Sequence, residues 1–470
     1  MPAREHGLKR ELKLWDLVPM QVMLIVSFSW CGFAAKQGGS QLVLWLLAIV
    51  LFYLPLAAVV IQLSKALPEE GGVYQWVKTG ISPFAGYMAG WNVTATAVIF
   101  FSTTGSAVAN GIAHVLGSPG AWMLTSKALA VLLGCLAFLI ALGVNVRGLH
   151  LAKWWSDLGA IATAAVAAVM AMLLVRGFVT GFPAPIKPLS LTLPGLSIVT
   201  INVFTKMALS ALSGFDNCAI FSEECRKPDN DVGRSVIIAA PLIALTYIVG
   251  TGGILGYVAP ADVDLAAAVP QAIQAGFGDS SVGHALSLGA TGAFTFVVIA
   301  GLVVIVGMVA RLPMVAGWDG LLPGWWSELH VRFRTPTKAI AAVIASMLAV
   351  GILSLWGANN EEAAQVSAGA AIGSLCVMYI LLFASVLFGF RSGPTRIGWG
   401  IRMGALAACI VSLSALIFET VPLGDVVSPR LFAIKVAGLI CATNAAGAFL
   451  YWRGIKRRAR LAAQAATVAI

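Results

Sequence analysis

The sequence has little charge and shows none of the residue patterns typical of an enzyme. Only 11% of its 470 residues are charged, 59% are hydrophobic, and the mean hydropathy is +0.91. The five histidines and seven cysteines form no HExxH, CxxC or similar spacing, and there is no phosphate-binding loop and no nucleophile–base pair. We therefore expect no metal, no cofactor and no soluble catalytic domain, and interpret the cysteines as small buried hydrophobic residues.

Apolar runs take up most of the chain instead. Each is about 20 residues long, which is the length that a helix needs to cross the hydrocarbon core of a bilayer. The sequence thus predicts an all-α polytopic membrane protein with about twelve transmembrane helices. We place these spans at residues 16–35, 42–64, 84–113, 121–143, 153–175, 196–224, 235–258, 286–310, 338–356, 367–390, 398–419 and 431–452.

The basic residues lie mainly on one side of this predicted topology. The net charge is +10, and most of the 30 lysines and arginines fall before the first span, in alternate loops and after the last span. Cytoplasmic loops carry such an excess of basic residues. We therefore expect a cell inner (plasma) membrane protein with both termini in the cytoplasm, and topology accounts for the positive charge without a nucleic-acid partner.

The sixth predicted span is polar in its middle, where a membrane helix is normally apolar. Its polar residues recur every three or four positions and so share one helix face: Asn202, Lys206, Ser210 and Ser213. Gly214 lowers helix propensity, and serine hydroxyls compete for backbone hydrogen bonds, so we expect local unwinding before Asp216. Unwound backbone at this depth is tolerated only inside protein or around a cavity, which predicts a ligand site.

The first span has a similar interruption at residues 26–33, where Cys31-Gly32-Phe33 resembles Ser213-Gly214-Phe215. Interrupted helices five spans apart indicate two five-helix units of opposite topology, the inverted repeat of many secondary transporters. We expect the first unit at 16–175 and the second at 196–356, completed by the tenth helix of the region 367–452. Residues 1–15 and the basic tail 453–470 are expected to be cytoplasmic.

Three segments together resemble a known family. They are PEEGGVYQW from Pro68 followed by Pro83, Gly86, Gly90 and Trp91; GFD from Gly214 followed by SEECRKP from Ser222; and Arg311 followed by DGLLP from Asp319 and RTP from Arg334. In this order they resemble the amino acid-polyamine-organocation (APC) superfamily of transporters. The resemblance implies a leucine-transporter-type core of ten helices, with the first and sixth unwound around the substrate and the last two peripheral.

Interrupted helices offer free N–H groups at one end and free carbonyls at the other, and a zwitterionic amino acid fits both. We expect the carboxylate near residues 31–33 and the ammonium near Ser27 and residues 210–213. Many family members have a glycine-rich turn where this chain has Ser29-Trp30-Cys31-Gly32, so Phe28 and Trp30 are expected to narrow the site. The predicted substrate-binding residues are Ser27, Ser29, Trp30, Cys31, Gly32, Phe33, Ser210, Ser213, Gly214 and Phe215.

Two ionisable residues within the sixth span are candidates for proton coupling, Asp216 and Lys206. Asp216 either switches its protonation during transport or pins the unwound loop by accepting backbone N–H bonds. Lys206 either charges and discharges, compensates an anionic substrate group, or extends its head into the outer vestibule. The two are ten residues apart, about 15 Å along an intact helix, so no direct ion pair is assumed.

The inner end of the sixth span is also charged. Glu223 and Glu224 stand beside Arg226, with Lys227 and Arg234 nearby, and we interpret them as an inner gate or a structural ion cluster.

These features predict a secondary transporter of amino acids or related small amines that works by alternating access, with the proton as coupling ion. Substrate exchange or facilitated uniport of amino acids or polyamines is the alternative, and sodium coupling ranks third. A channel is less favoured because a conducting pore does not need two helix breaks, and a membrane-embedded enzyme is least favoured. The substrate's identity and the oligomeric state stay open.

Overall fold

A computed structural model of the chain describes residues 8–183, 187–265, 267–278, 280–354, 360–390, 396–422, 426 and 428–468. Within these ranges the regular elements are helices, and an isolated bridge joins Leu12 to Cys225. The helices of the first half are α1 (Leu14–Ile25), α2 (Ser29–Ala35), α3 (Gln41–Ala48), α4 (Leu54–Ala66), α5 (Val73–Gly80), α6 (Pro83–Phe101), α7 (Thr104–Leu116), α8 (Lys127–Arg147) and α9 (Leu149–Thr180).

The second half is also helical. Its helices are α10 (Ile198–Lys206), α11 (Pro228–Leu255), α12 (Ala268–Phe277), α13 (Ser281–Val309), α14 (Arg311–Trp318), α15 (Thr337–Ser354), α16 (Asn360–Phe388), α17 (Trp399–Phe418) and α18 (Pro429–Val468). Single turns of π-helix lie at Ile49–Tyr53 and Met207–Ala211, and a 3₁₀-helix runs from Phe215 to Glu224.

The apolar helices confirm a multi-pass all-α membrane protein. Among the described residues, ten helical stretches are long and apolar enough to cross a bilayer, and the bent pair α1–α2 makes an eleventh. The predicted ninth span corresponds to the shorter apolar helix Thr337–Leu353. The division of the chain into five-helix units over 16–175 and 196–356 stays a prediction.

One end of the bundle is tied together by polar contacts between distant segments, and we call it the inner face. There Asp319 accepts hydrogen bonds from Tyr74 and Lys78, each at 2.6 Å to its Oδ2. Arg457, on the part of α18 beyond the last predicted span, donates to the carbonyl of Gly320 at 3.1 Å. The tail therefore continues α18, and its residue Arg457 packs on the loop that follows α14.

The first span is broken, as the sequence predicts, but over a shorter stretch. Helices α1 and α2 are bent by 49° across residues 26–28. Gly32 lies inside α2, where a Cβ would come within 2.8 Å of the Ala268 Cβ. The resemblance of Cys31-Gly32-Phe33 to Ser213-Gly214-Phe215 does not extend to the role of the glycines, because Gly32 permits close packing against α12, whereas Gly214 permits a turn of the chain.

The sixth span unwinds where the sequence predicts. Helix α10 passes into the π-helical turn Met207–Ala211, residues 212–214 are not helical, and the 3₁₀-helix begins at Phe215. Gly214 has φ +114°, in the left-handed region that side chains with a Cβ rarely adopt. The glycine thus allows the chain to leave one helix and enter the next in the middle of the membrane.

Candidate functional site

The two breaks lie against one another. A Cβ built on Gly214 would come within 3.2 Å of Cγ1 of Ile25, the last residue of α1. Phe215, directly after the second break, packs its ring on Tyr53 with centroids 4.7 Å apart. The structure therefore brings the unwound backbone of residues 26–28 close to that of residues 212–214, in the interior of the bundle.

A tyrosine from α16 spans the second break. The hydroxyl of Tyr379 accepts a hydrogen bond from Gly214 N at 3.0 Å and donates one to Asp216 Oδ1 at 2.7 Å. All three residues are buried, and Asp216 Oδ2 has no hydrogen-bond partner among the described residues. Buried polar atoms are normally bonded, so the free oxygen marks Asp216 as a group that awaits a partner.

A second tyrosine, from α11, spans the first break in the same way. The hydroxyl of Tyr247 accepts from Ser27 N at 3.0 Å and donates to the carbonyl of Ile25 at 2.7 Å. Its ring stacks on Trp45 with centroids 4.7 Å apart, which fixes its position. Each broken helix is thus stabilised by one hydroxyl that satisfies a free N–H and a free acceptor.

The predicted residues of the first span divide into two groups. Ser27 and Ser29 are exposed, whereas Cys31 and Gly32 are buried. The expectation that Cys31 and Gly32 offer free N–H groups is wrong, because both amides bond to the carbonyl of Phe28, at 3.0 and 3.4 Å. These amides of α2 are bonded to the residue just before the helix, so they are not free to bind a substrate carboxylate.

Aromatic rings surround the first break. The rings of Trp30 and Phe33 lie with centroids 5.1 Å apart, and the ring of Phe28 meets that of Phe294 edge to face at 5.5 Å. Phe28 is buried, whereas Trp30 and Phe33 are only partly buried. The narrowing of the substrate site by these rings stays a prediction.

Lys206 is buried and bonds to the segment after α17. Only 5% of Lys206 is exposed, and its Nζ donates to the carbonyl of Val421 at 2.7 Å. Glu419, at the end of α17, is also buried and lies near enough to attract the ammonium group. The structure thus excludes an extension of this lysine into open water in this conformation and connects the sixth span to α17.

The inner face contains a second cluster of charges, which we call the inner cluster: Glu70, Glu224 and Arg311. The Arg311 guanidinium bonds both carboxylate oxygens of Glu224, Nη2 to Oε1 at 2.7 Å and Nε to Oε2. Its carbon Cζ lies 4.5 Å from the ring centroid of Phe221. A bidentate pair of this kind fixes both distance and orientation.

Arg226, which the sequence places in the same charged group, lies apart from the inner cluster. Arg226 is exposed, and its backbone N–H bonds to the carbonyl of Leu12 at 2.9 Å, whereas Glu224 pairs with Arg311. Glu223 is partly buried, and its N–H donates to Glu70 Oε2 at 2.8 Å. Glu70 and Arg311 belong to the segments that resemble the family, but sequence reasoning gave neither of them a role.

A cavity of about 290 Å³ lies at the end of the bundle opposite the inner face, between the ends of α7, α12 and α13. It is lined by polar and apolar side chains together: His114, Val115, Asp264, Ala267, Pro270, Gln271, Gln274, His284, Ser287, Leu288 and Thr291. Its size is near the lower end of small-molecule pockets.

Comparison with known proteins gives one family and distant relatives. The family model described as amino acid permease matches residues 12–440. An uncharacterized transporter of Legionella pneumophila is 23% identical over 92% of this chain and 95% of its own length. The vacuolar cationic amino acid transporter 4 of Arabidopsis thaliana is 24% identical over 79% of this chain and 62% of its own length. The methylthioribose transporter of Bacillus subtilis is 23% identical over 75% of this chain and 78% of its own length.

Proposed function

Because the chain belongs to the amino acid permease family of the APC superfamily, a family of transporters and not of enzymes, we propose that it carries amino acids or related small amines across the inner (plasma) membrane by alternating access. The proposal takes the inner face as cytoplasmic, with both termini on that side, because the basic residues concentrate there.

The observation that carries this proposal is the contact between the two helix breaks. Residues 26–28 and 212–214 are the unwound backbone, and Ser27 and Ser29 are exposed beside it while Ser213 is partly buried. Backbone N–H and carbonyl groups at such breaks bind the carboxylate and ammonium groups that all amino acids share, and we assign this role to the groups that Tyr247 and Tyr379 do not already bond. Of the residues named from the sequence, we propose Ser27, Ser29, Trp30, Phe33, Ser210, Ser213, Gly214 and Phe215 as the substrate site.

Asp216 is our candidate for energy coupling. Tyr379 donates a hydrogen bond to one carboxylate oxygen of Asp216 and accepts one from Gly214 N. We therefore propose that the tyrosine, as much as the aspartate, holds the unwound loop in place. The other oxygen is buried without a partner. A buried carboxylate needs a positive partner, and a proton or the ammonium group of a substrate would supply one. This supports proton symport, with exchange or uniport as the alternative.

The inner cluster is our candidate for the inner gate. It joins the end of the sixth span to the loop before α5 and to α14, and we propose that these contacts break when the inner face opens. The cavity at the opposite end is the proposed entrance from outside.

Uptake into liposomes tests the proposal. The purified protein is reconstituted and given labelled amino acids, polyamines and methylthioribose, the last because one relative carries that name. We expect saturable uptake of an amino acid or amine that is accelerated by unlabelled substrate inside. An inward proton gradient that drives accumulation indicates symport, whereas exchange without accumulation indicates an exchanger. Large currents without saturation, or uptake of nothing in the panel, would contradict the proposal.

A further inference from the structure

The three charged residues of the inner cluster are buried together, and their charges do not cancel. Glu70, Glu224 and Arg311 are only 1–2% exposed. If all three are ionised, the cluster carries two negative charges and one positive charge. A buried charge that lacks a partner is costly, so the cluster needs one further positive charge.

The arginine is already committed to Glu224, whose two oxygens it bonds. Glu70 Oε1 lies 3.6 Å from the Arg311 Nε, which is too far for a hydrogen bond, and it has no hydrogen-bond partner among the described residues. Glu70 Oε2 accepts from Glu223 N at 2.8 Å. One oxygen of Glu70 is thus buried, held in place by its neighbour and open to a proton.

The groups that face Glu70 come from two elements packed against its loop. The 3₁₀-helix Phe215–Glu224 and the residue after it present Glu223, Glu224 and the buried thiol of Cys225, and α14 presents Arg311. Burial and the charge of Glu224 raise the pKa of the Glu70 carboxyl well above its usual value, and Arg311 opposes this only in part.

We propose that Glu70 binds a proton when the inner face closes and returns it to the cytoplasm when the inner face opens. The inference rests on the alternating access proposed above. The proton passes from cytoplasmic water to Glu70 Oε1 on closing. It leaves to the same side when the end of the sixth span moves away and water reaches the carboxyl group.

The sign of the pH effect follows from this exchange. The closed state binds one more proton than the open state, so acid in the cytoplasm favours the closed state and alkali favours the open one. Glu70 would then act as a pH-dependent control on substrate release, separate from any proton that travels with the substrate at Asp216.

Hydrogen exchange of the full-length protein in lipid nanodiscs tests this without knowledge of the substrate. The measured quantity is the exchange of the backbone amides of residues 218–226, normalised at each pH to the rate of an unfolded chain. In the unchanged protein, we expect the opening equilibrium to fall by up to about tenfold per pH unit of acidification, as one linked proton requires.

The variants give a matched comparison. Glu70→Gln imitates the protonated carboxyl and should make the equilibrium independent of pH, whereas Glu69→Gln, at an exposed neighbour, should keep the original slope. If Glu70→Gln does not fold, Glu70→Asp should fold and keep the slope with a displaced midpoint. A slope that persists in Glu70→Gln, or that is absent from the unchanged protein or from Glu70→Asp, overturns the proposal.

The uptake panel separates this inference from the function on which it rests. If the protein takes up a compound of the panel and Glu70→Gln keeps the original pH slope, Glu70 does not have the proposed role, but the proposed transport function stands. If Glu70→Gln abolishes the pH slope but the protein takes up no compound of the panel, the proton-linked opening of the inner face stands, and the proposed substrate class is wrong.

Discussion

The hydroxyl of Tyr379 lies 2.7 Å from Asp216 Oδ1 and joins two residues that are 163 positions apart in the sequence. The same hydroxyl accepts from Gly214 N, so a single atom sets the shape of the break and the position of its carboxylate. The proposed site therefore depends on α16 as much as on the sixth span, and the first test is to remove this atom.

Tyr379→Phe should destabilise the protein by about 1–3 kcal/mol, because it leaves a buried amide and a buried carboxylate oxygen without a partner. We expect transport to fall more than stability alone explains. Tyr257→Phe is the control, since the Tyr257 hydroxyl donates to the carbonyl of Leu173 on α9. Thermal unfolding and uptake are measured for both variants, and equal transport in the two would contradict the role of Tyr379.

Gly214→Ala should be strongly unfavourable. Its φ of +114° and the Ile25 side chain 3.2 Å from the new Cβ both oppose a side chain, at a cost of about 1–3 kcal/mol for the backbone alone. Gly143→Ala, in α8 with open space around its Cβ, should leave stability unchanged or slightly raised. If both variants unfold at the same temperature, the left-handed turn is not needed.

Asp216→Asn keeps the size of the side chain and its bond with Tyr379 but cannot change its charge. We expect substrate binding to be retained in large part and the response of uptake to a proton gradient to be lost. Binding is measured by titration at fixed pH, and accumulation is measured with and without the gradient. Undiminished gradient-driven accumulation in this variant would assign Asp216 to structure alone.

Arg311→Lys should open the inner face, because an ammonium group cannot bond both oxygens of Glu224 in the same way. The loss of one of the two buried, charge-assisted hydrogen bonds should cost about 1–3 kcal/mol. Glu328→Gln breaks the pair of Glu328 with Lys338, whose side chains are each 56% exposed, and should cost at most about 1 kcal/mol. Protease access to the inner face and thermal unfolding distinguish the two, and similar values would argue against a gate.

Lys206→Met should impair transport, since it leaves the Val421 carbonyl without its donor and Glu419 without a nearby cation. Adding Glu419→Gln should recover part of the lost stability by removing the uncompensated charge. Unfolding temperatures of the single and double variants form the test. Kinetics and stability like those of the unchanged protein in Lys206→Met would show that the lysine is dispensable.

The break in the sixth span could be predicted because its cause is local. Gly214 follows a polar helix face, and chain propensity alone favours unwinding there. The first break was placed less well, because Gly32 is explained by its contact with Ala268, a residue far along the chain. Local sequence does not show whether a glycine serves a turn or close packing.

The partners of the site could not be predicted, for a related reason. Arg311 and Glu224 are 87 residues apart, and Tyr247 and Ser27 are 220 apart, so no spacing pattern connects them. Arg226 stands two residues after Glu224 in the sequence and was therefore included in the charged group, but it is exposed. A tyrosine inside an apolar helix was the available signal, since a buried hydroxyl requires a bonding partner.

The bridge between Leu12 and Cys225 couples the movements of two parts of the molecule. Two amides at Glu11 and Leu12 bond to the carbonyl of Glu224, and the Arg226 amide bonds back to Leu12. The end of the sixth span therefore either carries the segment before α1 with it when it moves or must first break these three hydrogen bonds. Residues that precede the first span are in this way mechanically tied to the end of the sixth.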